Sequence, residues 1–171
     1  MVIWITGLSG SGKTTIAKDI YTQLKEEYKN TVFLDGDIIR EALNNSYGYS
    51  LSERLKGAKQ VSGLCRMLDA EDLIVVCATM SLFHEIQELN RNKIKNYLEI
   101  YLNVDLEELI RRDSKDLYKK ALNKEMDNVV GIDLDYESPI KPDIELDNNL
   151  SDNLESNIKE ILDSVYLKLK G

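Results

Sequence analysis

Gly7-Leu8-Ser9-Gly10-Ser11-Gly12-Lys13-Thr14 follows the spacing G-x-x-x-x-G-K-[ST], which suits a site for a polyphosphate. Glycines let the backbone fold into a nest whose N–H groups converge on phosphate oxygens. A helix starting at Lys13 adds the positive potential of its N-terminus at the same place. In such a site Gly7, Ser9, Gly10, Ser11, Gly12, Thr14 and Thr15 surround the phosphates. Lys13 reaches the β- and γ-phosphates of ATP, and the Thr14 hydroxyl ligates Mg²⁺. The plainer alternative is a chance glycine-rich turn. The position of the pattern, between a β-branched run and an amphipathic stretch, argues against it.

Asp35-Gly36-Asp37, with Arg40 three residues on, closes a second apolar run. Two carboxylates beside a phosphate and a magnesium ion can orient an acceptor hydroxyl, take up its proton, or hold a metal-bound water. An Asp-Gly turn with a helix-capping aspartate is the bland reading. Arg111, Arg112, Lys115, Lys119 and Lys120 form a basic group inside an acidic chain. Mobile cations of this kind can close as a lid over a transferring phosphoryl group, at about 111–130. The competing reading is a solvated helix face, because Asp113 and Asp116 alternate with the cations.

Ser81 follows the most apolar run of the chain and could touch Mg²⁺ or a substrate phosphate, or cap a helix beginning near Phe83. The cap is favoured for its side chain. His84, the only histidine, has no neighbouring ligands and reads as a surface helix residue. Tyr47, Tyr49 and Phe83 could stack on a base, and Tyr118 reads as the anchor of the basic segment.

These residues need a frame to position them. The chain has 171 residues, 22 Lys and Arg against 30 Asp and Glu, and a net charge of −8. That length suits one domain over 1–171, and the acidic balance argues against a nucleic-acid binder. Cys65 and Cys77 form no CxxC pair, so neither a disulfide framework nor a zinc site is expected, and a reducing cytoplasm is the natural setting. No apolar run is long enough for a bilayer and no basic leader is evident, so no membrane partner is expected.

Apolar patterning predicts strands at Val2–Thr6, Thr31–Leu34, Leu73–Ala78, Leu98–Val104 and Asp143–Leu146, with Leu73–Ala78 the best central strand. Helices are predicted over Lys13–Tyr28, Ile38–Leu43, a Ser50- or Ser52-capped stretch to Ala70, Phe83–Asn96, Leu106–Leu122 and Ser151–Lys170. Alternation of strands and helices implies an α/β fold, a mostly parallel sheet with helices on both faces, with ligands at the carboxyl ends of the strands.

Taken together, the chain resembles the adenylylsulfate (APS) kinase family. The resemblance lies in Trp4 to Ala17, Leu34-Asp35-Gly36-Asp37 with Arg40, Arg112-Asp113, Leu117 to Ala121, Gly131-Ile132-Asp133, Tyr136-Glu137 and Pro142-Asp143. It implies a P-loop kinase fold, a homodimer, and transfer of the ATP γ-phosphoryl group to the 3′-hydroxyl of a nucleotide with Mg²⁺. By the same resemblance Asp37 positions or deprotonates the acceptor hydroxyl, and Asp35 supports it and holds the metal through water. Arg112 serves ATP, Arg40 and Arg54 hold the anionic part of the acceptor, and Lys119-Lys120 closes over it.

The departures from the family pattern cluster on the acceptor side. Where the family has Phe-Ile-Ser-Pro-Phe/Tyr-Arg, this chain has Thr79-Met80-Ser81-Leu82-Phe83-His84. One aromatic face of the base sandwich is replaced by Val129, the other is Tyr49, and an Asn after the Arg54 position is Gly57. Losing one stacking face weakens base recognition by about 1–3 kcal/mol. A variant of the family phosphorylates cytidine diphosphoramidate for capsule decoration, and this chain is similar to it around Cys77 to Glu85. A pyrimidine acceptor with an uncharged terminal amide needs less stacking and fewer cations, which favours it over APS. A non-catalytic ATP-binding module is the remaining alternative, and it has no need of both aspartates and the basic segment.

Overall fold

The computed structural model describes residues 1–113, 115–150 and 153–170. Five strands, β1 (Val2–Thr6), β2 (Thr31–Asp35), β3 (Ile74–Ala78), β4 (Tyr97–Asn103) and β5 (Ile144–Asp147), pair in the order β2-β3-β1-β4-β5. All four pairings are parallel. The strands β1 and β3 are buried at every position, as continuous apolar runs covered on both faces must be. β3 is interior as its composition predicts, and β1 takes the middle place.

Successive side chains point to opposite faces, and the two faces have different covers. Ile3 and Ile5 of β1 pack with Ile16, Ile20 and Leu24 of α1 (Lys13–Glu27) and Ile158, Ile161 and Val165 of α7 (Leu154–Lys170). Val2 and Trp4 pack with Ala58, Val61 and Cys65 of α3 (Leu51–Ala70) and Ile86 of α4 (His84–Lys93). A third cluster joins Leu8 to Leu109 of α5 (Leu106–Arg112), to Tyr118 and Ala121 of α6 (Leu117–Leu122), and to Val129. It sits past the carboxyl end of β1, over the loop that follows that strand.

Local chemistry explains the boundaries. Before α3, the Glu53 carboxylate accepts the Ser50 backbone N–H at 3.3 Å and its hydroxyl at 2.6 Å, completing a capping box. The short α2 (Gly36–Ala42) is capped by Asp35, which accepts the Asp37 N–H at 2.9 Å. The basic helix expected over Leu106–Leu122 is two helices. The Asp113 carboxylate accepts the N–H groups of Leu117 and Lys119, both at 2.8 Å, and Asp116 has φ +51°. An aspartate that binds the backbone ahead of it offers the chain an alternative to continuing the helix. The predicted start of the last helix, Ser151, lies outside the described residues.

Candidate active site

The loop after β1 curls under the N-terminus of α1 in the manner its glycines allow. Gly12, the residue before α1, has φ +93°, and a Cβ there would stand 2.7 Å from Asn148 Nδ2. Asn148 in turn donates to the Ser11 carbonyl at 2.8 Å and accepts from Asn157 Nδ2 at 3.1 Å, so β5 and α7 brace the loop. From the other side the buried Tyr118 hydroxyl donates to the Ser9 carbonyl at 2.8 Å. The Lys13 ammonium donates to the Leu8 carbonyl at 2.7 Å. Its removal from water pushes its pKa down to about 8, against the opposite pull of Asp37 and Asp35.

The two carboxylates at the end of β2 do different work. Asp35 is buried and bridges the phosphate loop to α2, accepting the Thr14 hydroxyl at 2.8 Å and the Asp37 N–H at 2.9 Å. The capping and functional readings of this residue therefore coexist. Asp37 is exposed, and its carboxylate accepts from Lys115 Nζ at 2.9 Å. That bond holds the Asp37 carboxyl below the ordinary carboxylate range and raises the pKa of Lys115.

A cavity of about 810 Å³ runs across these groups. Ser9, Gly10, Gly12, Lys13, Thr14 and Thr15 line it together with Asp35, Asp37 and Lys115. So do Arg40, Tyr47, Tyr49, Arg54 and Val129. The arginines are already engaged by the backbone. Arg40 donates to the Tyr47 and Gly48 carbonyls at 2.7 and 3.1 Å. Arg54 donates to the Tyr49 carbonyl at 2.7 Å and the Asn128 carbonyl at 2.8 Å. Asp133 fixes the segment bearing Val129 by accepting the N–H groups of Asn128 and Val129, both at 2.6 Å.

Several residues expected at the site stand elsewhere. Gly7 and Ser11 are buried and do not line the cavity. Arg112 is turned away, held by Glu108 at 2.7 Å and by the carbonyls of Asn148 and Asn149 at 2.7 and 2.8 Å. Lys119 and Lys120 are exposed on α6 and do not line the cavity, whereas Lys115 does. Phe83 is partly buried, packs against the cluster of α3 and β3, and borders a separate small hollow with Leu51 and Met80.

Ser81 caps nothing. The residue before α4 is Phe83, and the Ser81 hydroxyl is buried without a hydrogen-bond partner. Its N–H faces the Thr6 hydroxyl at 3.4 Å, which ties the end of β3 to β1 instead. His84 Nε2 lies 2.9 Å from the Ser138 carbonyl, a surface contact. Lys115 and Tyr47 are the site residues that sequence reasoning underweighted. The signal for Lys115 was its membership of the basic group, and for Tyr47 its place in the loop after Asp37.

A parallel sheet with a phosphate loop after its central strand, a Thr–Asp pair at the loop's end and a second carboxylate facing the same cavity define a P-loop kinase. The comparisons with known proteins narrow the class. The family model for adenylylsulphate kinase matches residues 1–147. The chain is 44% identical over 166 residues to the cytidine diphosphoramidate kinase of Campylobacter jejuni, spanning 97% of this chain and 96% of that one. It is 39% identical over 162 residues to a probable adenylyl-sulfate kinase of Aeropyrum pernix, covering 92% and 88% of the two chains. Among solved structures, the Mycobacterium tuberculosis APS kinase in complex with AMPPNP and APS superposes with a TM-score of 0.87 at 30% identity, covering 99% and 97%. The chain belongs to the adenylylsulphate kinase family.

Proposed function

We propose that this chain transfers the γ-phosphoryl group of ATP to the ribose 3′-hydroxyl of a nucleotide, with cytidine diphosphoramidate as the acceptor. The observation that carries the reading is the single cavity that the phosphate loop shares with Asp37 and with a wall of Tyr49, Arg54 and Val129. In that wall an aliphatic side chain faces a base on one side. Arg40 Nη1 donates to two backbone carbonyls, which fixes the guanidinium between the rings of Tyr47 and Tyr49. The aliphatic wall suits a one-ring pyrimidine base better than the adenine of APS, and the 44% identity to a cytidine diphosphoramidate kinase supports the same choice. A non-catalytic module has no use for the Asp35, Asp37 and Lys115 assembly.

Phosphoryl transfer through a loose transition state is mostly positioning and charge neutralisation. Lys13 and the N-terminus of α1 hold the β- and γ-phosphates, and Asp37 accepts a hydrogen bond from the attacking hydroxyl and aligns it. Residues 111–130 act as the lid, with Lys115 delivered to Asp37 and Tyr118 seated on Ser9. The residues fit Mg²⁺. Thr14 and Asp35 present only hard oxygen donors, and no cluster of three or more His, Cys, Asp or Glu suited to a metal occurs among the described residues. An ion held by one or two protein oxygens and by substrate phosphates needs no more. When bound, Mg²⁺ neutralises charge on the transferring phosphates. We place the enzyme, as a homodimer, in the cytoplasm, a reducing compartment that suits its two unpaired buried cysteines. Among the described residues no helix is long and apolar enough to cross a membrane.

The deciding experiment is acceptor-dependent ADP release with ATP and Mg²⁺, comparing cytidine diphosphoramidate with APS. A higher kcat/KM for the cytidine compound is expected. A higher value for APS makes the enzyme an adenylyl-sulfate kinase, and turnover with neither overturns both acceptors.

A pH profile tests the assignment of Lys13 separately. Polyphosphate binds the protonated ammonium, so kcat/KM for ATP falls as pH rises through about 8, the pKa of Lys13. Bound phosphates stabilise the cation, so kcat at saturating ATP holds to higher pH. A kcat/KM profile that stays flat well above that pH rules the assignment out.

A further inference from the structure

Two glycines interrupt α3, and they meet different surroundings. A Cβ built on Gly63 has nothing within 4 Å. A Cβ built on Gly57 would stand 2.5 Å from Cζ and 2.7 Å from Cδ2 of the Tyr47 ring, and closer still to Cε2. Gly57 has no positive φ, so its backbone does not call for glycine. What the position lacks is room, because the Tyr47 ring already fills the space a side chain would take.

The ring is not free to move aside. Tyr47 is 7% exposed, and the Arg40 guanidinium lies 4.3 Å from its centroid while donating to its backbone carbonyl at 2.7 Å. The same guanidinium lies 4.4 Å from the Tyr49 ring, and Arg54 lies 5.4 Å from that ring. Tyr47, Arg40, Tyr49 and Arg54 therefore form one alternating stack of rings and cations, each member of which lines the cavity. Gly57, Ala58 and Val61 line it from α3. A bulky ring thus stands where the helix contributes only small side chains.

We propose that the Tyr47–Gly57 contact is a specificity determinant for the acceptor: the ring and a side chain at position 57 are mutually exclusive, and the ring narrows the pocket toward a nucleotide with a one-ring base. The inference rests on the reading that this cavity receives the acceptor. Tyr47 shapes the pocket and carries no part of the phosphoryl transfer. Its removal therefore alters which acceptor is used and leaves the ATP side unchanged.

The test uses Gly57→Ala, Tyr47→Leu and the double variant, each assayed with cytidine diphosphoramidate and with APS, alongside thermal melting. Gly57→Ala forces the ring to shift and is expected to lower kcat/KM for the preferred acceptor at least about tenfold, with KM for ATP changed less than about twofold. Tyr47→Leu is expected to shrink the ratio of kcat/KM between the two acceptors by about tenfold. Adding Gly57→Ala to Tyr47→Leu then costs almost nothing, because the added methyl now has room. Losses that multiply independently in the double variant, an unchanged acceptor ratio in Tyr47→Leu, or an equal rise in KM for ATP would each overturn the proposal. If Gly57→Ala fails to fold, the acceptor ratio of Tyr47→Leu decides alone. Wild-type enzyme that turns over only APS refutes the cytidine acceptor and with it the one-ring pocket. Coupling between the two substitutions, read on APS, then decides whether the contact governs acceptor use at all.

Discussion

Replacing Lys13 with alanine is expected to lower turnover about a thousandfold, the upper range for losing one preorganised group that meets transition-state charge. The reason lies in where its ammonium sits. It is held 2.7 Å from the Leu8 carbonyl inside the phosphate loop, and removal from water has already pushed its pKa down to about 8. A cation kept at such a cost to its own solvation contributes little to folding, so the melting temperature of Lys13→Ala should match the parent. Lys13→Arg serves as the control, since a planar guanidinium does not replace a compact ammonium in a tight loop. ADP release under saturating ATP, with thermal melting alongside, checks both halves. Turnover within tenfold of the parent would remove Lys13 from the chemistry.

Asp37→Asn is expected to reduce kcat about a hundredfold, the lower end of the range for a positioned acid–base group, while KM for ATP stays within about threefold. The amide keeps the shape of the side chain and loses its charge, so the hydroxyl it orients is held by a weaker acceptor. Two observations separate this from a structural effect. Asp37 is exposed and its ion pair with Lys115 is a solvated one, so breaking it costs the fold little. The cap of α2 belongs to Asp35 and survives the change. Lys115 holds the Asp37 carboxyl below the ordinary range, so the group stays ionised at neutral pH and contributes no acid limb there. Normal kcat in Asp37→Asn, or a loss confined to KM for ATP, would sink the acceptor-side role.

Much of this was legible in the residues. Each predicted strand is present within about one residue of its expected ends: β1 and β3 as continuous apolar runs covered on both faces, and the edge strand β5 by its alternation of buried and exposed residues. The phosphate loop was legible because its chemistry is local: glycines, a lysine and a threonine within one turn of backbone produce the nest themselves. That Asp35 and the phosphate loop share one edge followed from the parallel sheet, which brings strand ends together, whereas the Thr14–Asp35 hydrogen bond came from the packing.

Other features were settled by packing. The break in the basic helix depends on Asp113 turning its carboxylate onto the N–H groups of Leu117 and Lys119, an arrangement that charge periodicity does not report. Ser81 has the residue type and position of a helix cap, yet the chain delivers it into the core beside Thr6. Phe83 has the composition of a base-stacking residue, yet it packs, partly buried, against the cluster that α3 and α4 form on the sheet.

By itself the sequence determined the strands, every helix but the divided one over 106–122, the phosphate loop, the carboxylate pair and the family, all of which arise from patterns a few residues long. The tertiary structure alone decided that Lys115 rather than Lys119 or Lys120 meets Asp37, 78 positions away, and that Tyr118 closes on Ser9 across 109 positions. It also decided that Tyr47 rather than a side chain on α3 fills the space over Gly57. The physical reason is that such contacts depend on which side-chain atoms the crossovers bring within a few ångströms. Spacing along the chain carries no record of that distance once two segments are joined only through the packing of others.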